Sequence, residues 1–275
     1  VRERGNSNFA EGSEADALLR LYPQYGIVPL SAYSGTPGKL KIHDHEKMFD
    51  EMNNYLKSVK LNSMWNEEQV LQTIASIMNS HIGAPPTEFE YEGKKYTPKS
   101  FLTDFLKLKP EDYVAIISLK QDPYYAKMVY NVPDNWWYSA DYFNIPLTEF
   151  MNALKSSIRN GYTVSLGGDT SEPGIDGEYD VAIVPDFDIP AAYINEDARQ
   201  MRFNNGTTTD DHGIHLVGYK EESGKDWFLI KDSGGGGMNG KFKGYYFYHE
   251  DYVKLKMVDF LIHKDAVKDL LVKFK

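Results

Sequence analysis

Residues 207–219 read TTTDDHGIHLVGY: two acids, a histidine, a second histidine three residues later, then an apolar run closing on Gly-Tyr. A polar turn follows, then Trp227-Phe-Leu-Ile-Lys-Asp-Ser233, a glycine run, and Gly244-Tyr-Tyr-Phe-Tyr248. Short runs rich in β-branched and aromatic residues, bounded by Gly and Asp, read as strands. Two adjacent antiparallel strands of this length would bring His212 near Asp232. A carboxylate there would hold an imidazole in one orientation and favour its protonated form. Two other readings compete. A histidine at a strand start is commonly structural, and Asp211, His212 and His215 form a metal-friendly group. That group lacks both helical spacing and an evident further ligand.

Outward from this stretch, the chain changes character near residue 113. Before it the patterns are helical. Glu14 to Tyr25 carries a broad apolar stripe with Gly26 placed to end it, and Lys47–Leu61 and Asn66–Ile82 repeat the spacing. Asn66 is a natural N-cap for the last of these. Tyr33–Gly38 is dense in turn formers, Pro85-Pro86 breaks the pattern, and a further helix starts at Pro98-Lys-Ser100. After residue 113, short runs at 113–119, 162–166, 181–184, 215–219, 227–231 and 244–249 read as strands. A helix over Leu147–Arg159 sits among them, closed by Asn160-Gly161. A last helix is expected over Asp265–Phe274. Helices first and strands second make an α+β chain rather than an alternating one. The expected division is 1–112 and 113–275.

Composition excludes several function classes. The chain has 275 residues, 41 % of them hydrophobic and 25 % charged, the balance of an ordinary globular protein. Its net charge of −10 argues against sequence-blind binding to nucleic acid, which needs clustered Lys and Arg. No apolar run is long enough to span a bilayer. Val1–Asn8 is polar and lacks the apolar core of a signal peptide. There is no cysteine, so these residues supply neither disulfide, nor thiolate zinc site, nor thiol nucleophile.

Three other local patterns are weaker. His43-Asp-His-Glu46 reads as a charged helix start, since alternate positions there point to different faces. Asp169-Thr-Ser-Glu-Pro-Gly174 has the glycine of a calcium loop, with Asp180 in the twelfth place, but Pro173 occupies a ligand position and no helices flank it. Gly235 to Lys241 has phosphate-loop spacing, yet Phe242 replaces the hydroxyl that would bind magnesium, and an aromatic strand follows instead of a helix. The glycine run is better read as a turn between strands.

Taken in order, His212 to Tyr219, Lys231-Asp-Ser-Gly-Gly235 and Gly244-Tyr245 resemble the C-terminal signature of papain-like cysteine peptidases. That signature runs His, four mostly apolar residues, Val-Gly-Tyr, then Lys-Asn-Ser-Trp-Gly and Gly-Tyr. The resemblance is closer to the bleomycin hydrolase/aminopeptidase C branch. Ala10–Glu14 followed by Tyr25-Gly-Ile-Val-Pro29 is similar to that branch's Gly-Gly-Gln helix start and its Tyr-Gly-Val-Ile-Pro. Leu147 to Asp169, His249–Tyr252 and His263-Lys264 match its later segments.

The resemblance implies a papain-like fold of a helical domain and a β-barrel-like domain. It implies peptide hydrolysis through an acyl-thioenzyme with no cofactor and no metal. His212 and Asp232 would be catalytic, and Gly12, Ser13 and Gly213 would meet a peptide substrate. It also implies that the nucleophilic cysteine belongs to an N-terminal segment or chain outside these residues. The 275 residues alone are therefore expected to be inactive and poorly folded, and a homo-oligomer stays open. Two departures stand out: the usual Asn orienter is Asp232, and the Trp after Ser233 is Gly234. The competing reading is a binding or scaffolding protein that has lost its nucleophile.

Overall fold

The computed structural model describes residues 9–37 and 43–274; the polar start Val1–Asn8 and the end of the Tyr33–Gly38 turn lie outside the described residues. The chain forms two compact units, one of Val1–Gly12 with Arg20–Lys109, the other of Ser13–Leu19 with Pro110–Lys275. Helix α1 (Ala17–Tyr25) runs from the second into the first.

In the first unit, α2 (Glu46–Leu61) and α3 (Glu67–Ile82) pack against each other. Met48, Met52 and Val59 form the buried stripe of α2. The Asn66 side chain caps α3 by accepting the Gln69 N–H at 3.1 Å. A hairpin of β1 (Phe89–Tyr91) and β2 (Lys94–Tyr96) turns at Glu92-Gly93, both with positive φ, as a two-residue primed turn requires. One-turn α4 (Pro98–Ser100) then leads into a π-turn over Phe101–Phe105. Phe101 and Phe105 stack at 4.9 Å and meet the edges of Tyr91 and Tyr96, a small aromatic core.

The second unit is built on one ten-stranded mixed sheet, the large sheet of an α+β fold. Its strands are β3 (Tyr113–Ile117), β4 (Lys127–Met128), β5 (Tyr142–Asn144), β6 (Val164–Gly168), β7 (Ile175–Asp176), β8 (Val181–Ala182), β9 (His212–Glu222), β10 (Lys225–Lys231), β11 (Tyr245–His249) and β12 (Met257–His263). Their order is β4-β5-β3-β12-β6-β9-β10-β11-β8-β7, with β3–β5 and β8–β11 parallel and the other pairs antiparallel. Helices α5 (Leu147–Arg159), α6 (Glu196–Asn204), α7 (Glu250–Lys256) and α8 (Lys268–Leu271) complete it.

Helix α5 buries Leu147, Phe150, Met151, Leu154 and Ile158, the i, i+3, i+4, i+7, i+11 stripe of an amphipathic helix. These side chains join Ile116, Leu216, Phe228, Ile230, Tyr248 and Phe260 on one face of the sheet. Ala115, Ile117, Met128, Tyr130, Tyr142, Val258 and Leu261 form a smaller core on the other face, with Ala15 and Leu19 against it. Strands β3 and β12 are thus covered on both sides, and β3 accordingly reads as a near-continuous apolar run. Phe260 is fully buried, with its ring 4.9 Å from that of Phe150. Phe260→Ala in the full-length protein should lower unfolding stability by about 3–5 kcal/mol, read from the denaturant midpoint. A loss under about 1 kcal/mol would mean the core has been misplaced.

Two expectations change here. The closing segment is a 3₁₀ turn over Lys264–Val267 followed by the single turn of α8, not one helix to Phe274. Strand β9 begins at His212, three residues earlier than the apolar run suggests.

Candidate active site

The register of β9 against β10 decides which histidine can meet Asp232. From Lys225↔Glu222 to Leu229↔Gly218 the pairing is regular; it then slips, so that Ile230 faces Leu216 and Lys231 faces His215. Val217 is the extra residue of a β-bulge. Without it, Asp232 would lie opposite His215. With it, Asp232 falls opposite Ile214, on the face His212 shares through the two-residue strand period. On its other side β9 pairs with β6, His212 opposite Gly168 and Gly213 opposite Gly167.

Here His212 Nε2 and Asp232 Oδ1 are 2.8 Å apart. The His212 side chain keeps 31 % of its exposure and Asp232 9 %. The bond engages Nε2, so Nδ1 is the nitrogen left to exchange a proton with a reacting group. Asp232 Oδ1 also accepts the Gly234 N–H at 2.8 Å. The Asp232 N–H donates to the Gly244 carbonyl at 2.8 Å. Gly244 takes a φ of +84°, a left-handed conformation suited to glycine. Burial pushes the Asp232 carboxyl up, but the His212 bond and the N–H groups of Gly234 and Ser233 outweigh it and hold the carboxyl below its ordinary value. The bond to Asp232 raises His212 above an ordinary imidazole, against the opposing effect of burial. An anionic acceptor and a readily protonated imidazole make a unit suited to general acid–base chemistry.

Asp211 fixes the approach to this pair. Its N–H donates to the Gly168 carbonyl at 3.1 Å, and its Oδ1 accepts the Thr170 N–H at 2.9 Å. Buried Asp169 accepts the Thr209 N–H at 2.8 Å and the Ser171 N–H at 3.0 Å. The turn before His212 is therefore laced to the end of β6.

The other residues singled out in the sequence fall elsewhere. His215 is exposed on the opposite face of β9, where burial and then the neighbouring Lys231 lower its pKa; it cannot share a metal with His212. Gly213 is exposed beside His212. Ser13 is exposed at the start of its segment of the second unit, and Gly12, also exposed, ends the first stretch of the other. In the calcium-like loop, Asp180 is buried and accepts the N–H groups of Lys241 and Phe242 at 2.7 and 3.0 Å, while Asp169 is committed as above. Both acids brace loops. The phosphate-loop spacing falls on a 3₁₀ turn over Gly235–Met238. His45 precedes α2 and pairs with Glu11, and Asp44 accepts the Glu46 N–H, so this segment is a helix start. Sequence reading missed the bulge at Val217, although Gly218 beside it is the usual signal of one. It also missed the part Gly244 plays in holding Asp232.

Comparison with known proteins gives a family and a fold. The model of the Peptidase C1-like family matches residues 6–274. Aminopeptidase C from Streptococcus thermophilus is 22 % identical over 191 residues, covering 59 % of this chain and 42 % of that protein. Aminopeptidase C from Listeria monocytogenes is 24 % identical over 190 residues, with the same coverage of each chain. Matched stretches thus span less than half the length of these relatives. The crystal structure of PepW from Lactobacillus rhamnosis HN001 superposes with a TM-score of 0.65 at 18 % identity, covering 97 % of this chain and 67 % of that one. It shares the fold. Among the described residues no helix is long and apolar enough to cross a membrane.

Proposed function

The chain belongs to the Peptidase C1-like family, and from that premise we propose that the protein is a cysteine-type peptidase of the aminopeptidase C kind, with His212 as its general acid and base and Asp232 as the group that orients it. The observation that carries this reading is the 2.8 Å bond from His212 Nε2 to Asp232 Oδ1, which leaves Nδ1 for the reacting groups.

The chemistry follows from that arrangement. A cysteine thiolate adds to the carbonyl carbon of the peptide bond and the carbonyl oxygen takes the negative charge. His212, as imidazolium, gives its Nδ1 proton to the leaving amine as the C–N bond breaks. A water molecule then attacks the resulting thioester, His212 Nδ1 takes one of its protons, and the thiolate leaves with the carboxylic acid product. Asp232 holds the ring in one orientation throughout and favours its charged form. Within the second unit, backbone groups of Ser13 and Gly213 would bond an extended peptide. The 275 residues contain no cysteine, so the thiolate comes from polypeptide outside them. The net charge of −10 suits a substrate with a positive amino terminus.

The lack of cysteine also favours one alternative, a binding protein that keeps the cleft without the nucleophile. The experiment incubates full-length protein with matched peptides whose amino termini are free or acetylated, and follows products by mass spectrometry. Hydrolysis that iodoacetamide abolishes is the expected result, with the free-terminus peptide preferred. Folded protein that binds the peptides and cleaves neither would replace the peptidase reading with the binding one.

A further inference from the structure

Three carboxyls that the His212 chemistry does not use converge inside the second unit. Glu14 lies just before α1, Asp210 two residues before His212, and Asp259 in the middle of β12. One carboxylate oxygen from each lies within 4.8 Å of the other two. Glu14 is only 5 % exposed and Asp259 3 %. An acid inside a strand covered on both faces is costly unless something answers its charge. The sheet is nonetheless shaped to admit it: opposite Asp259 stands Gly167, where an added Cβ would lie 2.2 Å from Asp259 Oδ1.

Among the described residues no cationic side chain forms an ion pair with these carboxyls. Arg199 is the buried cation closest in effect, but its Nε, Nη1 and Nη2 donate to the carbonyls of Ser118, Lys254 and Val258 at 3.1, 2.9 and 3.2 Å. Glu14 Oε1 and Asp259 Oδ1 are buried without a hydrogen-bond partner. So is the hydroxyl of Tyr130, which is 0 % exposed and lies against the Asp210 carboxyl. Burial, then the charge of Asp259 and contact with Asp210, push Glu14 up to about 12. Burial and the charge of Asp210 lift Asp259 far above an ordinary carboxyl. A proton shared between Glu14 and Asp210 would join one pair only. It would leave Asp259 Oδ1 unanswered, whereas one cation meets the three carboxylates together, with the Tyr130 hydroxyl beside Asp210.

We propose that the carboxylates of Glu14, Asp210 and Asp259, with the Tyr130 hydroxyl, form a binding site for a single hard divalent cation of the calcium type. Every donor is oxygen, and no imidazole or thiolate is present to select a softer metal. A buried cage favours calcium over magnesium, which gives up its water reluctantly. The ion would tie three segments distant in sequence, among them the turn that leads into His212. It would serve as structural cross-link and takes no part in hydrolysis.

The test uses full-length protein stripped with chelator and desalted. Calcium or magnesium is added back while bound metal and melting temperature are measured. One calcium per chain is expected, with a saturable rise in Tm of about 5–10 °C at a hundredfold excess over Kd and a smaller rise with magnesium. Asp259→Asn and Glu14→Gln should each remove the calcium-dependent rise. Asp259→Asn should keep its metal-free Tm, since it deletes a buried charge. Stripped wild-type protein, folded by circular dichroism, that binds no calcium at about 10 mM would overturn the proposal and leave the carboxyls held by protons alone. That arm decides even if a variant does not fold. Calcium binding that survives in both folded variants would overturn it equally.

Discussion

Replacing His212 with glutamine in the full-length protein should lower kcat/KM for peptide hydrolysis by about 10²- to 10⁴-fold. Glutamine fills much of the same space and can still bond Asp232, so the surrounding strands have no reason to move. What it lacks is a titratable nitrogen. The leaving amine would depart without its proton, and the attacking water would have no base. The loss should fall on kcat with KM little changed, because the side chain bonds Asp232 and the reacting atoms rather than the body of the substrate. A folded His212→Gln protein within tenfold of wild type would remove His212 from the chemistry.

The second large effect concerns pH. Asp232 raises the pKa of His212 first through their hydrogen bond and then through its charge, while burial works the other way. Asp232→Asn keeps an acceptor but removes the charge. The imidazolium should then lose its proton at lower pH, and the alkaline limb of the kcat/KM profile should move down by about one unit. An unmoved limb would mean that another group sets it. Stability follows the same sign. His212 has a raised folded pKa, so its contribution is complete below the ordinary value of 6.5 and is lost as pH rises through the folded value. Asp232 has a lowered one, so its contribution is complete above 3.8 and is lost as pH falls through the folded value. The pair thus stabilises most between those two limits.

How far the sequence reveals this molecule depends on whether each signal is local. Helix α5 is legible because its apolar stripe, its start after Pro146 and its Asn160-Gly161 end all lie within one short segment. Helix α3 is legible through its Asn66 cap. Strand β12 is not, because it leaves α7 at Lys256-Met257 without a turn residue and carries Asp259 in its middle. A charged residue in a short apolar run argues against a strand buried on both faces, and tertiary structure overrides it. The β1–β2 hairpin was hidden in charged residues, its turn marked only by Glu92-Gly93. The His212–Asp232 pair is legible as strand, turn and strand, but which histidine faces the aspartate depends on a one-residue bulge. The acid cluster leaves no local trace. Glu14, Asp210 and Asp259 lie far apart in sequence, and only the pairing of β12 with β6 and the placing of residues 13–19 bring them together.

The most direct measurement of the central claim is the pH dependence of thiol alkylation in the full-length protein. A cysteine beside an imidazolium ionises well below the ordinary thiol value of about 8.5 and reacts as thiolate. If His212, held by Asp232, serves such a cysteine, one thiol should react rapidly with iodoacetamide near pH 6. His212→Gln should slow that reaction by at least about tenfold at the same pH. A full-length protein whose thiols all react at the rate of a free cysteine, with and without His212, would contradict the account.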